Sequence, residues 1–355
     1  MHVKIPIMPK TVQSPRVSII ILTLNEAGYL EKCLKSVRRQ TYPQNKIEIV
    51  VVDNGSIDNS VEVARSFGAR VFINKEGDVY ENWAIALHKI TGDFVYMIDQ
   101  DIELRGKNFL QKMLKPLIGD RRIIAAFTRK YARYDQAWVT RFLSYHPAQC
   151  DPLYEFLTPP LKKSFVKEMN DYTLCRFKLG IVPPFGRMFY RVKYLKKTPN
   201  WKLNKVSDHD LIIKCIKSGY NLFAYVPKAG LYHHHARSLR HLLFKRVRNL
   251  RMHYLPENET IEYRWLDIND RKKIIRLLAW VIYANLFFPA FARGLIRFFK
   301  YKDWALLMEP IVTMTTTDVI LWGFISDGVG RNMLKQSLKT LIGKPGKAAN
   351  GTFGQ

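Results

Sequence analysis

The chain has 355 residues, 47% hydrophobic and 13% aromatic, enough to bury a sizeable core in one large domain or a domain with an appendage. Its formal net charge of +27 predicts an anionic partner: a nucleic acid, a nucleotide or an acidic membrane surface. Cys33, Cys150, Cys175 and Cys215 lack C-x-x-C spacing, which argues against a disulfide scaffold or a clustered zinc site, and residues 1–15 lack the apolar core of a signal peptide.

From Val17 the chain alternates strand and helix signals. Residues 17–22 form a β-rich run ending in Thr23-Leu24-Asn25-Glu26, after which Leu30, Cys33, Leu34 and Val37 recur with helical spacing. Residues 47–52 predict a second strand, closed by Asp53-Asn54-Gly55-Ser56, and Val61, Ala64 and Phe67 a helix. A short strand at 69–73, a helix at 83–89 and a strand at 93–98 follow, and the last leads into Asp99-Gln100-Asp101. This order predicts an α/β fold, a mostly parallel sheet with helices on both faces. Its three polar turns then share one sheet edge and converge into a cleft. The carboxylates of Asp99 and Asp101 suit Mg²⁺ or Mn²⁺, which in turn holds a diphosphate. Asp53 alone has an ordinary reading as a turn residue or N-cap; the convergence of three turns is what points to a site. Neither G-x-G-x-x-G nor G-x-x-x-x-G-K-[S/T] is present, so a metal and basic side chains must hold the phosphates of any nucleotide.

Further along, Phe109, Leu110, Met113, Leu114 and Leu117 predict an amphipathic helix and residues 123–127 a strand. Residues 131–185 are rich in aromatics and prolines, a composition for a substrate-facing excursion or for a packed irregular layer. Ser207-Asp208-His209-Asp210 precedes Leu211, Ile212, Cys215 and Ile216, which places two carboxylates at a helix N-terminus. One suffices to complement the helix dipole, which leaves the other to take a proton from an attacking hydroxyl. In His233-His234-His235 neighbours point apart, and one of them completes a coordination shell begun by Asp101 or simply lies on the surface. Leu239, Leu242, Leu243, Val247 and Leu250 trace one helical face, with Arg240, Lys245, Arg246, Arg248 and Arg251 around the rest. Such a helix meets a membrane surface, binds phosphate or presents a solvated basic face.

Residues 277–292 are apolar except for Asn285 and Pro289, short for the ~20 residues of a membrane span. Residues 304–325 are longer but hold Glu309, Pro310 and Asp318. Interfacial or re-entrant helices with cationic flanks fit both, the alternative being a soluble helical subdomain or a dimer interface. The tail from Gly343 is Gly-, Lys- and Ala-rich, and disorder is expected there.

Taken together, these motifs resemble family 2 glycosyltransferases with a GT-A fold, from about residue 17 to about 255. The resemblance rests on the run from Val17 through Thr23-Leu24-Asn25-Glu26, on Leu34-Lys35-Ser36-Val37 followed by Gln40-Thr41-Tyr42, and on Glu48 through Asp53-Asn54-Gly55-Ser56-Ile57-Asp58. Thr91-Gly92-Asp93 through Asp101 and Ser207-Asp208-His209-Asp210-Leu211 complete it, the latter resembling an E-D-x-D-L motif. The resemblance implies a nucleotide pocket lined by Thr23, Leu24, Asn25, Glu26, Gly55 and Gln100, with Asp53 reading the base. Asp99 lies near ribose and metal, Asp101 is the main ligand of Mg²⁺ or Mn²⁺, and His233 or His235 adds to it. Asp208 is the general base and Asp210 positions its loop. Ser207 departs from the usual acid, and Glu81-Asn82-Trp83-Ala84 stands where Ala-Arg-Asn-x-Gly is common, so a basic residue near the donor phosphates is missing. Lys75, or Arg246, Arg248 and Arg251, are its candidate substitutes.

The implied activity is inverting transfer from a UDP- or GDP-sugar to a hydroxyl of a lipid-linked, polyprenyl-type acceptor or a growing glycan. It takes place at the cytoplasmic face of an anionic membrane, with no nucleic acid and with self-association through the C-terminal helices open. The expected layout is an extension (1–15), a catalytic domain (16–255, divided at 101 into nucleotide and acceptor halves), a membrane-associated helical region (256–342) and a disordered tail (343–355). A metal-dependent nucleotidyltransferase would need a basic, glycine-rich loop after the first strand, which is absent. A nucleic-acid-binding protein would not group acids at strand ends.

Overall fold

The computed structural model describes residues 14–146, 152–179, 187–255 and 268–343. Most of the expected extension, Cys150, Pro183-Pro184 and the tail beyond Gly343 lie outside the described residues.

Four strands, Val17–Thr23 (β1), Ile47–Asp53 (β2), Arg70–Ile73 (β3) and Phe94–Asp99 (β4), pair in parallel in the order β3-β2-β1-β4. Their crossovers are Ala27–Arg38 (α1), Ser60–Ser66 (α2) and Val79–Lys89 (α3). The strand period of two divides β1 between two cores. Ile19 and Ile21 pack with Leu30, Cys33 and Leu34 of α1, whereas Ile20 packs with Trp83, Ala84 and Leu87 of α3. Burial on both faces is why β1, β2 and β4 are continuous apolar runs. The expected helix at 83–89 begins earlier, at Val79, because Asp78 and Glu81 form a reciprocal capping box there.

The chain continues through Ile102–Leu104 (β5), Phe109–Gly119 (α4), Ala125–Phe127 (β6), Trp138–Ser144 (α5), Pro152–Leu157 (α6), Phe165–Glu168 (β7) and Thr173–Arg176 (β8). Phe189–Arg191 (β9), Val192–Leu195 (α7), Asp208–Lys217 (α8), Leu222–Tyr225 (β10), Leu231–His233 (β11) and Leu239–Asn249 (α9) follow. Among the described residues the main sheet has nine strands, ordered β3-β2-β1-β4-β9-β6-β10-β8-β7. Only β9 and β8 run against the others. The α/β sheet expected of a GT-A domain is therefore present, flanked by α1 and α4 on one face and α3 and α8 on the other. A separate ribbon pairs β11 antiparallel with β5, His233 opposite Ile102.

The C-terminal layer holds Arg271–Ala284 (α10), Phe287–Tyr301 (α11), Glu309–Ser326 (α12) and Gly328–Ile342 (α13). The apolar stretch 277–292 is not one segment: α10 and α11 meet at 85° across Asn285 and Leu286. Pro289 falls in the first turn of α11, where its missing N–H costs nothing. Trp304–Ser326 is the one helix long and apolar enough to cross a membrane among the described residues, and half of it is buried within the protein.

Two ionic ties lock this layer to the sheet domain. Arg141 holds Asp303 (2.9 Å). Glu309, fully buried, meets Arg293 (2.7 Å) and Arg297 (3.4 Å), while Arg293 also reaches Glu155 (3.2 Å). His146 completes the second tie. Burial lowers its imidazole to about 4, so it is neutral at pH 7. Its Nδ1 bonds to Glu155, and Arg297 donates to Nε2 (2.9 Å).

Candidate active site

Strand register brings the three turns to one level: Thr23 pairs with Asp53 and Leu22 with Asp99. Hydrogen bonds then tie the turns to one another. Leu24 N–H donates to Gln100 Oε1 (2.8 Å), Asn25 N–H to Ser56 Oγ (2.9 Å) and Ile57 N–H to Asn25 Oδ1 (2.8 Å). Asn25 takes a left-handed conformation (φ 50°), a conformation that asparagine tolerates. Asp53 accepts from Gly55 N–H and Ser56 N–H (2.9 Å each) and from Ser56 Oγ. Both of its oxygens are thus engaged within its own turn. Gly55 has φ +87°, and a Cβ there would stand 3.1 Å from Lys75, which places Lys75 against this turn.

Glu26 pairs with Arg237, whose guanidinium lies over Tyr29 (5.3 Å). This ties the first turn to the segment that follows the histidines. Asn82, in the divergent 81–84 segment, is buried; it donates to Asn54 and accepts from Asn74 Nδ2 (2.8 Å). That segment shapes the 53–56 turn and supplies no cation.

The β5–β11 ribbon delivers the second half of the site. Asp99, Asp101 and His233 present ligand atoms within 4.8 Å of one another, the group among the described residues with the spacing to hold a metal ion. His233 Nε2 lies 3.2 Å from Asp101 Oδ1. That buried oxygen has no hydrogen-bond partner, nor does His233 Nδ1. Burial raises the Asp101 carboxyl above its ordinary value, and Lys245, His234 and Lys130 only partly offset this. Burial also holds His233 and His235 well below the usual imidazole range, helped by nearby cations, so both rings keep a free lone pair. Two carboxylates, one with an orphaned buried oxygen, and a neutral imidazole are a donor set that fits Mg²⁺ or Mn²⁺.

The alternation expected of three adjacent histidines is present. His235 packs edge-on against His233 (4.9 Å) and stands outside the metal-ready group. His234 points the other way, to Glu103 (2.6 Å), which Arg133 clamps with two 3.0 Å bonds. Burial works to raise the Glu103 carboxyl, but His234 and Arg133 outweigh it and hold it at about 2.

Ser207 caps α8 by accepting from His209 N–H (3.2 Å) and Asp210 N–H (3.3 Å). The neutral cap leaves both acids free of that task, which gives the departure at Ser207 a physical reason. Asp208 is half-buried with Oδ1 2.9 Å from His209 Nδ1, and Asp210 is buried. Burial pushes the Asp208 carboxyl up, yet His209 and Arg187 more than compensate and bring it to about 2.

Arg187 is the residue that sequence reasoning passes over. It pairs with Asp99, and its charge also acts on Asp208. Because β9 runs antiparallel to β4 with Phe189 opposite Tyr96, position 187 falls at the edge that carries Asp99. Of the cationic candidates, Arg246 on α9 is buried and its charge acts on His235, whereas Arg248, and Arg251 beyond the helix, face solvent. It is Lys245 that turns toward the site, donating to the His235 carbonyl (2.7 Å) and acting on Asp101. Adjacent helix positions differ by about 100°, so one residue decides which side chain faces the ribbon.

The model of the family described as "Glycosyl transferase family 2" matches residues 18–196, half of the chain. The chain belongs to glycosyl transferase family 2. Asp208 and His233 lie beyond the matched stretch, so their roles in this family 2 chain stand on geometry. Among curated relatives it is similar to glycosyltransferase AglE of Haloferax volcanii, 55% identical over 53 residues, 15% of this chain and 17% of that one. It is also similar to the PGL/p-HBAD biosynthesis glycosyltransferase of Mycobacterium bovis, 36% identical over 97 residues, 26% of this chain and 37% of that one. The matches thus span well under half of those relatives' lengths. Among solved structures, the mannosyltransferase PcManGT of Pyrobaculum calidifontis with GDP-Man and Mn²⁺ is 18% identical, with 88% of each chain covered and a TM-score of 0.47. Glucosyl-3-phosphoglycerate synthase of Mycobacterium tuberculosis with Mn²⁺ and UDP is 21% identical, with 64% of this chain and 75% of that one covered and a TM-score of 0.42.

Proposed function

We propose that this family 2 protein is an inverting glycosyltransferase. It moves a sugar from a nucleoside diphosphate donor, UDP- or GDP-linked, to a hydroxyl of a lipid-linked acceptor or growing glycan at the cytoplasmic face of a membrane. One juxtaposition supports the reading most: Arg187 joins the Asp99–Asp101–His233 group to Asp208, so a leaving-group site and a base share one cleft.

The nucleoside lies against the tied turns 23–26 and 53–56, with Lys75 and Gln100 beside them. Asp101, Asp99 and His233 would hold the divalent cation, His235 backing His233. Mg²⁺ or Mn²⁺ bound there supplies Lewis-acid stabilisation to the diphosphate. Asp208, ionised at neutral pH, accepts the proton of the acceptor hydroxyl as its oxygen attacks the anomeric carbon. The bond from that carbon to the diphosphate oxygen breaks on the opposite face, so a single displacement inverts the centre. Arg187, Lys245 and Lys130 surround the position where negative charge grows and stabilise it without reorganising. Asp210, buried one turn into α8, positions the loop that carries Asp208.

A lipid-linked acceptor and a membrane setting are supported by the α10–α11 corner. Phe287 and Phe288 are 57% and 81% exposed there, and Arg271, Lys272 and Lys300 flank the two helices.

The test is Asp208→Asn with two readouts, product formation and donor binding by calorimetry in Mn²⁺. Loss of a positioned base lowers turnover by about 10²–10⁴-fold. Donor affinity is expected to stay within twofold. Near-full transfer by the variant, with donor binding intact, removes Asp208 as the base.

A further inference from the structure

The helical layer encloses a cavity of about 270 Å³ between α10, α12 and α13. Its walls are apolar almost throughout, Ile274, Trp280, Ile320, Phe324, Met333 and Leu334 among them. The polar atom of the largest of these is already satisfied, because Trp280 Nε1 donates to Thr317 Oγ1 (2.9 Å). A cavity without free polar groups does not hold water well. Its size also far exceeds the voids that close-packed interiors retain, because a gap forfeits dispersion contacts along its whole lining. A packing surface of this kind is suited to a hydrocarbon.

The cavity has a mouth. Leu278 of α10 and Leu338 of α13 line it while being 47% and 56% exposed. Ile275 and Ile282 continue the exposed apolar stripe on α10, and Ile342 does so on α13. The same two helices carry exposed cations, Arg271 and Lys272 on α10 and Lys335 and Lys339 on α13. An apolar opening between cation-bearing helices matches a lipid that bears an anionic headgroup.

Helix α9 connects this cavity to the site. Its first residue lies four positions after His235, and at its other end Leu250 packs with Phe324, Ile320, Met333 and Leu334. Gly323 permits that seat, since a Cβ there would fall 2.4 Å from Leu250. Eleven helical residues span about 16 Å at ~1.5 Å each. Arg240 and Arg248 are exposed along that length, and Arg251 just beyond it. Lys245 on this helix donates to the His235 carbonyl and its charge acts on Asp101, so a headgroup lying along α9 from the cavity runs toward the metal-ready group.

We propose that the cavity between α10, α12 and α13 seats the aliphatic chain of an anionic, phosphate-bearing lipid whose headgroup carries the acceptor hydroxyl. This rests on the lipid-acceptor reading above, and it adds the place where the chain is held and the class of headgroup.

The test irradiates full-length protein with diazirine-bearing farnesyl phosphate, with diazirine-bearing palmitate in a parallel arm, and maps the labelled peptides by mass spectrometry. Saturable labelling of α10 and α13 by farnesyl phosphate is expected, falling at least tenfold in Leu334→Trp, which fills the cavity. Leu338→Glu, at the exposed mouth, is expected to do the same and covers the case in which the tryptophan variant does not fold. Labelling elsewhere, labelling undiminished in a folded variant, or stronger labelling by palmitate overturns the proposal. So does a dimer in light scattering that Leu338→Glu dissociates, because a second copy then covers the mouth. Sugar transfer to a farnesyl-diphosphate-linked monosaccharide, which carries acceptor hydroxyls, is scored separately. Labelling without transfer keeps the cavity assignment and removes the lipid-acceptor reading; transfer undiminished in a folded variant does the reverse.

Discussion

The molecule gathers charge away from bulk water in two places, and the two are built differently. In the helical layer, His146 bonds Glu155 and accepts from Arg297, and Glu309 is met by Arg293 and Arg297. That network is closed. At the sheet edge, Asp101 Oδ1, His233 Nδ1 and His235 Nε2 are buried without hydrogen-bond partners, although Arg187, Lys130 and Lys245 stand near. That network is open. Buried polar groups are ordinarily satisfied, so a closed cluster does structural work, whereas an open one marks a place for a ligand.

Breaking the closed network has the largest expected effect on stability. Arg293→Met leaves Glu309 buried with one distant partner, and loss of about 3 kcal/mol follows from stranding a buried charge. Chemical denaturation checks it, with Mn²⁺ affinity expected to be unchanged. The open network predicts the opposite split. Asp101→Asn, which removes a burial-raised carboxyl, is expected to leave the metal-free melting temperature unchanged or higher. It lowers Mn²⁺ affinity by about 100-fold or more, beyond the roughly 10–100-fold of an outer-shell loss. A large fall in metal-free stability would erase the distinction between the two clusters.

Acid sharpens the comparison further. His146 is held at about 4, so between there and its ordinary 6.5 the unfolded chain binds a proton that the folded one refuses. Stability therefore falls as pH drops from 6.5 to 4, by up to about 1.4 kcal/mol per unit. Burial raises and His146 lowers Glu155, which ends at about 2, so its contribution is present above 4.5 and is lost only as pH falls from there toward 2. His146→Gln should flatten the upper window of a melting-temperature profile and narrow the lower one, because the hydrogen bond that most lowers Glu155 is also lost. The smallest effect belongs to Gln100→Ala. It unties one turn by removing an acceptor from Leu24 N–H, at about 1 kcal/mol, and raises the donor KM severalfold without changing turnover.

What could be read from the chain follows the same division. β1, β2 and β4 with their turns were legible because continuous apolar runs and local turn chemistry are short-range properties. The helix start at Asp208 and the alternation through His233, His234 and His235 are local in the same sense, although Ser207, and not an acid, makes the cap. Arg187 was not legible: its place depends on β9 entering the sheet backwards beside β4, a register set by contacts far away in sequence. The basic residues of α9 were legible only as a set. Periodicity gave the helix, but which cation faces Asp101 depends on how α9 is rotated against its neighbours, and Lys245 rather than Arg246 holds that position. The bend at Asn285 and Leu286 likewise escapes a composition-based reading of 277–292.

Helix α9 also behaves as a shaft with a fixed phase. Lys245, past its midpoint, meets the ribbon, and Leu250, just beyond its last residue, seats against Gly323. A single-residue insertion between the two would lengthen the helix only slightly but turn one anchor by about 100° against the other. Either the cation leaves the ribbon or the leucine leaves its seat. The length of this helix is thus forgiving and its angular register is not, so changes of three or four residues should be tolerated better than changes of one or two.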